Sequence, residues 1–249
     1  MVVSSLRTGR FELWLWDAQM SNRRAIFDQA SSITSLPVWS PDGQWLAFDS
    51  RVGSTRGDIW VMRPEGGESR RLTLDPTEEI NPCFDHTGEN VYFSSTRTGT
   101  VQLFRVPFRG GPAVQVTRGG GYACQASGDG KYPYYLQERS AANGLWRIDL
   151  ASSREEMVLP QLQNRNWKLL PDGVYFLDVG DRASLGFGAA VPGEVKFYRF
   201  STRRVEKLGF YTPRPIAALG INVSADRKWV YFSLIGNERS ELQLTENLP

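Results

Sequence analysis

A four-residue turn signature recurs five times along the 249 residues of the chain. Its copies are SPDG at 40–43, DHTG at 85–88, SGDG at 127–130, LPDG at 170–173 and the degraded SADR at 224–227. Their last residues lie 45, 42, 43 and 54 positions apart, and the longest interval carries an insertion. Proline presets the first dihedral angle of such a turn, aspartate bonds back to the backbone, and glycine takes the positive φ of a tight hairpin. The signature therefore predicts hairpins, and its period predicts a repeat architecture.

Strand-forming runs follow every copy of the signature. Aromatic and β-branched residues fill the first of these runs: WLAFDS from Trp45, NVYFSS from Asn90, YPYYLQ from Tyr132, GVYFLD from Gly173 and WVYFSL from Trp229. Alternating polar and apolar residues fill the next: DIWVMR from Asp58, QLFRVP from Gln102, GLWRID from Gly144, VKFYRF from Val195 and ELQLTE from Glu241. Both patterns are typical of strands, and a more polar outer strand closes most units. Four strands in each repeat predict an all-β fold, a β-propeller built of four-stranded antiparallel blades.

Counting strands gives the predicted organisation of the chain. The count is 22, which corresponds to a single propeller domain over 1–249 with about six blades, of which the first and last are incomplete. The predicted bounds are a partial blade 1–30, blades 31–75, 80–118, 122–160 and 163–210, and a partial blade 217–249. The missing outer and inner strands would lie just before Met1. We therefore expect the chain to be the C-terminal part of a longer protein, in which roughly 20 to 25 upstream residues close the ring.

Composition narrows the class of partners. The chain has 29 basic and 27 acidic residues without a dense basic run, so direct nucleic-acid binding by this segment is not expected. Arg7 and Arg10 interrupt the start where a signal peptide needs apolar residues, and no run of eighteen apolar residues occurs. We expect no membrane insertion of this segment, and the compartment, periplasmic or cytoplasmic, stays open. Cys83 and Cys124 fall one residue out of register on adjacent inner strands, and we predict that they pack as small apolar residues.

No residue pattern indicates catalysis or cofactor binding. The only histidine, His86, lies inside a turn signature and is interpreted as a turn residue, and no G-x-S-x-G elbow is present. The run Gly119–Tyr122 lacks the Lys-Ser or Lys-Thr of a phosphate-binding loop, which favours a flexible connector between blades. Asp42, Asp129 and Asp172 are interpreted as turn formers rather than metal ligands. The chain is therefore predicted to be no enzyme and to hold no cofactor or metal.

Arginine recurs in the loop between the second and third strand of every unit. The members are Arg7, Arg51 with Arg56, Arg97, Arg139, Arg182 and Arg239. Because these loops emerge on one face of a propeller, the arginines form a candidate interaction face for a protein partner or a small acidic ligand. The alternative, which the repetition favours, is a structural ion pair in each blade. Charge reversal at Arg97 and Arg139 together should weaken binding in the first case and lower thermal stability in the second.

The repeats also resemble a known family. SPDGQWLAFDS, GDIWVMRPEGGESRRLT and SSTRTGTVQLFRV, with the S-x-R-x-G element at 5–9 and 95–99, are similar to the WD40-like repeats of TolB-type propellers. The resemblance specifies the repeat but not one function, and we expect a non-catalytic module for protein interaction or sensing. Such repeats occur in a periplasmic scaffold protein, in prolyl oligopeptidase-like and tricorn-like serine peptidases, and in bacterial regulators with a winged-helix or kinase head. The ending from Val223 resembles winged-helix, CadC-like transcriptional regulators, which we take as the expected parent; a peptidase propeller without its catalytic domain is the alternative.

Overall fold

The computed structural model is an all-β structure. It describes residues 1–5, 8–9, 11–17, 21–27, 33–138, 144–162, 165–178, 193–211, 220–224, 226–235 and 240–246. These residues contain 22 strands and no helix. Accordingly, none of the described residues belongs to an apolar helix of membrane-spanning length.

The strands form six meander sheets, which we number as blades 1 to 6. Blade 1 consists of β1 (Val2–Ser5), β2 (Glu12–Trp16) and β3 (Arg23–Phe27). Blade 2 consists of β4 (Thr34–Trp39), β5 (Leu46–Ser50), β6 (Asp58–Met62) and β7 (Ser69–Arg71). Blade 3 consists of β8 (Glu79–Phe84), β9 (Asn90–Ser95), β10 (Gln102–Pro107) and β11 (Val114–Gln115). Blade 4 consists of β12 (Tyr122–Ala126), β13 (Pro133–Leu136), β14 (Leu145–Ile148) and β15 (Glu155–Leu159). Blade 5 consists of β16 (Trp167–Leu170), β17 (Gly173–Asp178), β18 (Gly193–Arg199) and β19 (Arg204–Tyr211). Blade 6 consists of β20 (Ile221–Val223), β21 (Trp229–Ile235) and β22 (Ser240–Glu246).

The predicted fold class is confirmed. In every blade the strands pair in chain order, and the described residues give four four-stranded and two three-stranded sheets. Neighbouring strands run antiparallel, as the pairs β4–β5, β5–β6 and β6–β7 of blade 2 illustrate. The incomplete first and last blades are therefore those that the strand count predicted.

Three of the turn signatures share one hydrogen-bond pattern. In the first copy the Ser40 hydroxyl donates to Asp42 Oδ1 at 2.5 Å, and the same oxygen accepts the Gln44 amide at 3.0 Å. The Ser40 hydroxyl in turn accepts the Trp45 amide at 2.9 Å. Equivalent bonds occur in the copies at 127–130 and 224–227. The turn-forming role predicted for the aspartate is thus correct, but the serine hydroxyl shares it.

The glycines of the signature serve two different purposes. Gly43 has a φ of 69° and Gly130 a φ of 72°, as a tight hairpin requires. Gly173 lies instead in strand β17, paired with Leu170, and a Cβ there would lie 2.2 Å from the Tyr198 carbonyl oxygen. At LPDG the glycine is required by this close approach of a neighbouring strand, so the predicted positive φ is wrong for that copy.

The chain forms two compact units, each with its own core. One unit contains Met1–Glu138 and Arg147–Glu156, and the other contains Arg139–Trp146 and Met157–Pro249. In the first unit Leu46 and Phe48 pack with blade 1, whereas Ala47 packs with blade 3. Successive residues of one strand thus fill two different interfaces, as the two-residue period of a strand dictates. In the second unit a third cluster joins side chains of blades 5 and 6.

Cys83 and Cys124 are correctly predicted as buried but form a disulfide, so their assignment as separate packing residues is wrong. Their Cα atoms are 6.0 Å apart. The reason lies in a β-bulge between Tyr122 and Gln125, which places Cys124 outside the regular alternation of its strand. An equivalent bulge lies between Ile80 and Cys83 in β8, so strand alternation gives the side-chain direction of neither cysteine.

Candidate interaction face

The loops between second and third strands share one end of the blades with the connectors between blades. This follows from the meander order, because every strand reverses the direction of the one before it. We call this the loop end, and the opposite end, with the turn signatures, the turn end. Arg51, Arg56 and Arg97, the described arginines of the predicted interaction face, belong to the loop end.

A repeated polar pair fixes the loop end of blades 2 and 3. The Thr73 hydroxyl accepts the Ile59 amide at 3.0 Å, and the Thr117 hydroxyl accepts the Leu103 amide at 2.9 Å. Thr117 also donates to Gln102 Oε1 at 3.2 Å. Each threonine hydroxyl thereby accepts the strand amide in place of a backbone carbonyl, at the point where the outer strand ends.

Asp58 occupies in blade 2 the place that Gln102 occupies in blade 3. Its carboxylate accepts the Arg71 guanidinium at 2.5 Å and lies 3.5 Å from the Thr73 hydroxyl. Burial raises the pKa of Asp58, and the bonds from Arg71 and Thr73 oppose that rise. The carboxylate therefore depends on these two partners to remain charged inside the protein.

Bulged inner strands bind to the preceding blade. Asn81, with a φ of 56°, donates its amide to Asp49 Oδ1 at 3.2 Å. Ala123, with a φ of 53°, donates its amide to the Ser94 hydroxyl at 3.3 Å. Asp49 and Ser94 hold the same position in successive blades. In both bulges the residue with positive φ therefore donates its amide to the preceding blade.

Arg97 forms a structural ion pair. Its guanidinium donates to Glu79 Oε1 and, at 3.2 Å, to the Ser95 hydroxyl, and it lies 3.7 Å from Asp75 Oδ2. It also lies 4.6 Å from the centre of the Phe104 ring. Burial raises the pKa of Glu79, and the hydrogen bond and charge of Arg97 are among the interactions that oppose the rise. Arg97 thus neutralises a carboxylate that is out of contact with water.

Arg51 pairs with the connector between blades 2 and 3. Its guanidinium donates to Glu78 Oε1, while Glu78 Oε2 accepts the Gly57 amide at 3.2 Å. Arg56, in the same loop, has an exposed side chain. The contacts of Arg51 and Arg97 match the structural interpretation of the repeated arginine.

Four members of the predicted face lie outside the described residues. They are Arg7, Arg139, Arg182 and Arg239. For them, and for the face as a whole, both interpretations remain predictions.

The glycine-rich connector between blades 3 and 4 binds the partly exposed Glu155 carboxylate. The amides of Arg118 and Gly119 donate to Glu155 Oε1 at 2.8 and 3.3 Å. The Tyr135 hydroxyl donates to Glu155 Oε2 at 2.6 Å, and burial together with the adjacent carboxylate raises the Tyr135 pKa strongly. Amides that elsewhere bind phosphate are therefore occupied by a side chain of the same unit, which supports the interpretation as a connector.

Glycine is also required in this connector for steric reasons. A Cβ on Gly120 would lie 2.3 Å from the Gln137 carbonyl oxygen, and one on Gly121 would lie 2.0 Å from the Leu103 amide nitrogen. The run therefore passes between backbone segments of two blades, and its glycines allow that approach.

His86 lies at the turn end, as predicted for a turn residue. A Cβ on Gly130 would lie 2.2 Å from His86 Cε1, so the imidazole covers the next turn signature. In the other unit the Asp172 carboxylate accepts the Arg227 guanidinium at 2.6 and 2.9 Å. Among the described residues, no three His, Cys, Asp or Glu side chains are grouped so that they would hold a metal ion.

The partners that fix the loop end were not predicted from the sequence. Thr73 follows Asp58 by 15 residues, and Thr117 follows Gln102 by the same interval. This repeated spacing of a polar residue and a threonine was the available signal. Glu79 carries no such pattern, and only the register of β8 against β9 brings it near Ser95.

Meander blades with Ser-Asp turns at one end and a buried polar layer at the other define a WD40-like β-propeller. Residues 1–188 match the family model described as the TolB beta propeller domain, PD40, and the chain belongs to this family.

The relatives that match include TolB proteins and tricorn-like proteases. The chain is 34% identical over 84 residues to the Tol-Pal system protein TolB of Anaeromyxobacter dehalogenans strain 2CP-C, covering 34% of this chain and 19% of the relative. It is 28% identical over 108 residues to a putative tricorn-like protease C-terminal subunit of Sulfurisphaera tokodaii, covering 42% of this chain and 12% of that protein. The alignments thus span less than a fifth of the length of either relative.

Solved structures support the same fold. TolB from Acinetobacter baumannii superposes with a TM-score of 0.78 at 15% sequence identity, covering 98% of this chain and 60% of that chain. At this identity the likeness shows the fold alone.

Proposed function

We propose that the chain is a non-catalytic β-propeller that binds a protein partner, or a small acidic ligand, at its loop end. The observation that carries the proposal is the exposure of Leu74, whose side chain is 76% accessible on the connector between blades 2 and 3. Arg56, in a loop of blade 2, and Arg118, on the following connector, are exposed at the same end. An apolar side chain accompanied by arginines is typical of protein interfaces.

The fixed loops beneath these side chains support the same proposal. Glu78 joins the Leu74 connector to the preceding loop through Arg51, and Glu155 holds the Arg118 connector through its backbone amides. Side chains on fixed loops lose less conformational entropy when a partner binds. An acidic partner would in addition be attracted by the exposed Arg56 and Arg118 side chains.

Charge reversal provides the test. The double variant Arg56→Glu with Arg118→Glu is compared with Arg109→Glu with Lys131→Glu, in which two exposed cations of the turn end are reversed. The probe is a fluorescent peptide of alternating glutamate and leucine, and binding is measured by anisotropy at low and moderate salt. We expect at least tenfold weaker binding for the loop-end variant only, with unchanged thermal unfolding of both. Equal losses in the two variants, or no loss in either, would refute the assignment.

We also propose that the parent protein is a bacterial signalling or transcriptional regulator with this propeller at its C-terminal end. The support is the resemblance of the ending from Val223 to such regulators, and the two relatives reported above are not named as regulators. The coding sequence upstream of Met1 tests this proposal. A winged-helix or kinase domain there would support it, and a hydrolase domain would contradict it.

A propeller that accompanies a serine peptidase is the second candidate. It is favoured by the relative named as a tricorn-like protease subunit. A fluorophosphonate probe, which reacts with activated serines, should leave the purified chain unlabelled if our main proposal is correct. Labelling that is lost on heat denaturation would contradict a non-catalytic role for this chain.

A further inference from the structure

The disulfide between Cys83 and Cys124 joins the inner strands of two successive blades. Cys83 belongs to β8 of blade 3 and Cys124 to β12 of blade 4, with a sequence separation of 41 residues. The Cα distance of 6.0 Å falls within the range that disulfides require. These two are the only cysteines of the chain, so no other pairing competes within it.

A hydrogen bond between the same two blades lies beside the disulfide. The Ala123 amide donates to the Ser94 hydroxyl of blade 3, next to Cys124 in the chain. Cys124 lies within the bulge of β12, and its sulfur bonds to Cys83 of blade 3. The pair is therefore a built junction between blades and not a chance approach of two surface thiols.

Burial protects the junction from reductants. The Cys83 and Cys124 residues are each only 6% exposed. A thiolate must reach a sulfur atom to reduce a disulfide, so exchange requires the blades to separate locally. Stable disulfides of this kind form in oxidising compartments and are rare in the reducing cytosol.

We infer that Cys83 and Cys124 are an oxidation site that locks blade 3 to blade 4, and that this propeller matures in an oxidising compartment. The co-reactant is a disulfide-bearing oxidant, such as a thiol oxidoreductase. One cysteine thiolate attacks that disulfide and forms a mixed disulfide, releasing the first oxidant thiol. The second cysteine thiolate then attacks the mixed disulfide and releases the second oxidant thiol. The protein loses two electrons and two protons, and the oxidant gains them.

Reduction should weaken the junction measurably. Closing a 41-residue separation in the unfolded chain corresponds to roughly a thousandfold change in the unfolding equilibrium constant in the chain-entropy model. The same step should accelerate hydrogen exchange at the Ala123 amide, because that bond crosses the junction. Blades 1 and 2 contain neither cysteine, and their central strands serve as an internal reference.

The first experiment measures the redox state. The chain is produced with and without an export signal, its thiols are trapped with a maleimide in acid-quenched cells, and the mass is determined. We expect no free thiol in the exported form and two in the cytosolic form. Two free thiols in the correctly folded exported protein would overturn the inference.

The second experiment separates a lock from an inert bond. Thermal unfolding and hydrogen exchange are compared with and without a phosphine reductant, for the native chain and for Cys83→Ser with Cys124→Ser. The native chain should lose stability on reduction, and the double variant should resemble the reduced chain and ignore the reductant. An equally stable reduced chain would refute the locking role, even if the redox trapping succeeds. If the double variant fails to fold, the reduced native chain still provides the comparison.

Discussion

Replacing Arg97 with alanine should destabilise the first unit by about 3–5 kcal/mol, because a buried charge loses its partner. The Glu79 side chain is fully buried, and that of Arg97 is 20% exposed. The matched control is Arg51→Ala, whose pair with Glu78 has 25% and 27% of the two side chains exposed. For this more solvated pair we expect a loss of only about 0–1 kcal/mol. The two arginines carry the same charge, so the difference reports the burial of the carboxylate together with the added contacts of Arg97 to Ser95 and Phe104.

Thermal or urea unfolding provides the measurement for the two variants. A loss of 3–5 kcal/mol corresponds to a decrease of roughly 6–20 °C in Tm for a domain of this size. The Arg51→Ala variant should stay within about 4 °C of the native chain. A loss below about 1 kcal/mol for Arg97→Ala, or equal losses for the two variants, would refute the argument from buried charge.

The pH dependence gives a second, independent readout. Burial already raises the Glu79 pKa above its ordinary value of 4.5, and loss of Arg97 should raise it further. A raised pKa means that the folded chain binds the proton more readily than the unfolded chain, so stability falls as pH rises from 4.5 to the folded pKa. The deficit of Arg97→Ala should therefore be smaller at low pH than at pH 7. Adding Glu79→Gln should recover part of the loss, and a deficit that does not change with pH would contradict a role for the Glu79 charge.

Two further substitutions test the turn end and the glycine-rich connector. Gly130→Ala should cost up to about 1 kcal/mol more than Gly43→Ala in urea unfolding, because both have positive φ but only the former displaces the exposed His86 imidazole. Adding His86→Ala should remove that difference, and persistence of the full difference would show that the imidazole is not its cause. Glu155→Gln should lower the free energy of unfolding by about 1.5–3 kcal/mol. It should also accelerate hydrogen exchange of the two connector amides that donate to Glu155. Glu156→Gln, a change at a 40% exposed carboxylate, should leave those amides protected, and equal exchange in both variants would contradict the assigned contact.

The fold could be predicted because its signals are local. Ser40, Asp42 and Gly43 act within one turn, and the two-residue alternation of β5 assigns Leu46 and Ala47 to opposite faces without any knowledge of the neighbouring blades. Such signals occur in every sequence repeat, so an error in one repeat does not alter the strand count.

The candidate site was less predictable because its contacts depend on exact register. The arginine at position 97 was identified from repetition, but its partner Glu79 lies on a bulged strand whose shift cannot be read from alternation. The same cause hid the disulfide, since both inner strands are bulged next to their cysteines and alternation does not give the direction of those side chains. A single inserted residue has no compositional signature, although it determines which side chains meet.

The two ends of the blades place different demands on their residues. At the turn end the Ser-Asp bonds are largely exposed, and water can replace a lost partner, as at Asp129. At the loop end Asp58, Glu79 and Thr117 are buried, so each lost partner leaves a polar group without solvent. Substitution of the buried residues beneath the loops should therefore lower stability. Substitution of exposed loop tips such as Leu74 should change stability little. Differences in binding between family members are therefore expected to lie in the exposed loop tips. The buried polar residues beneath must stay unchanged, because they hold the loops in place.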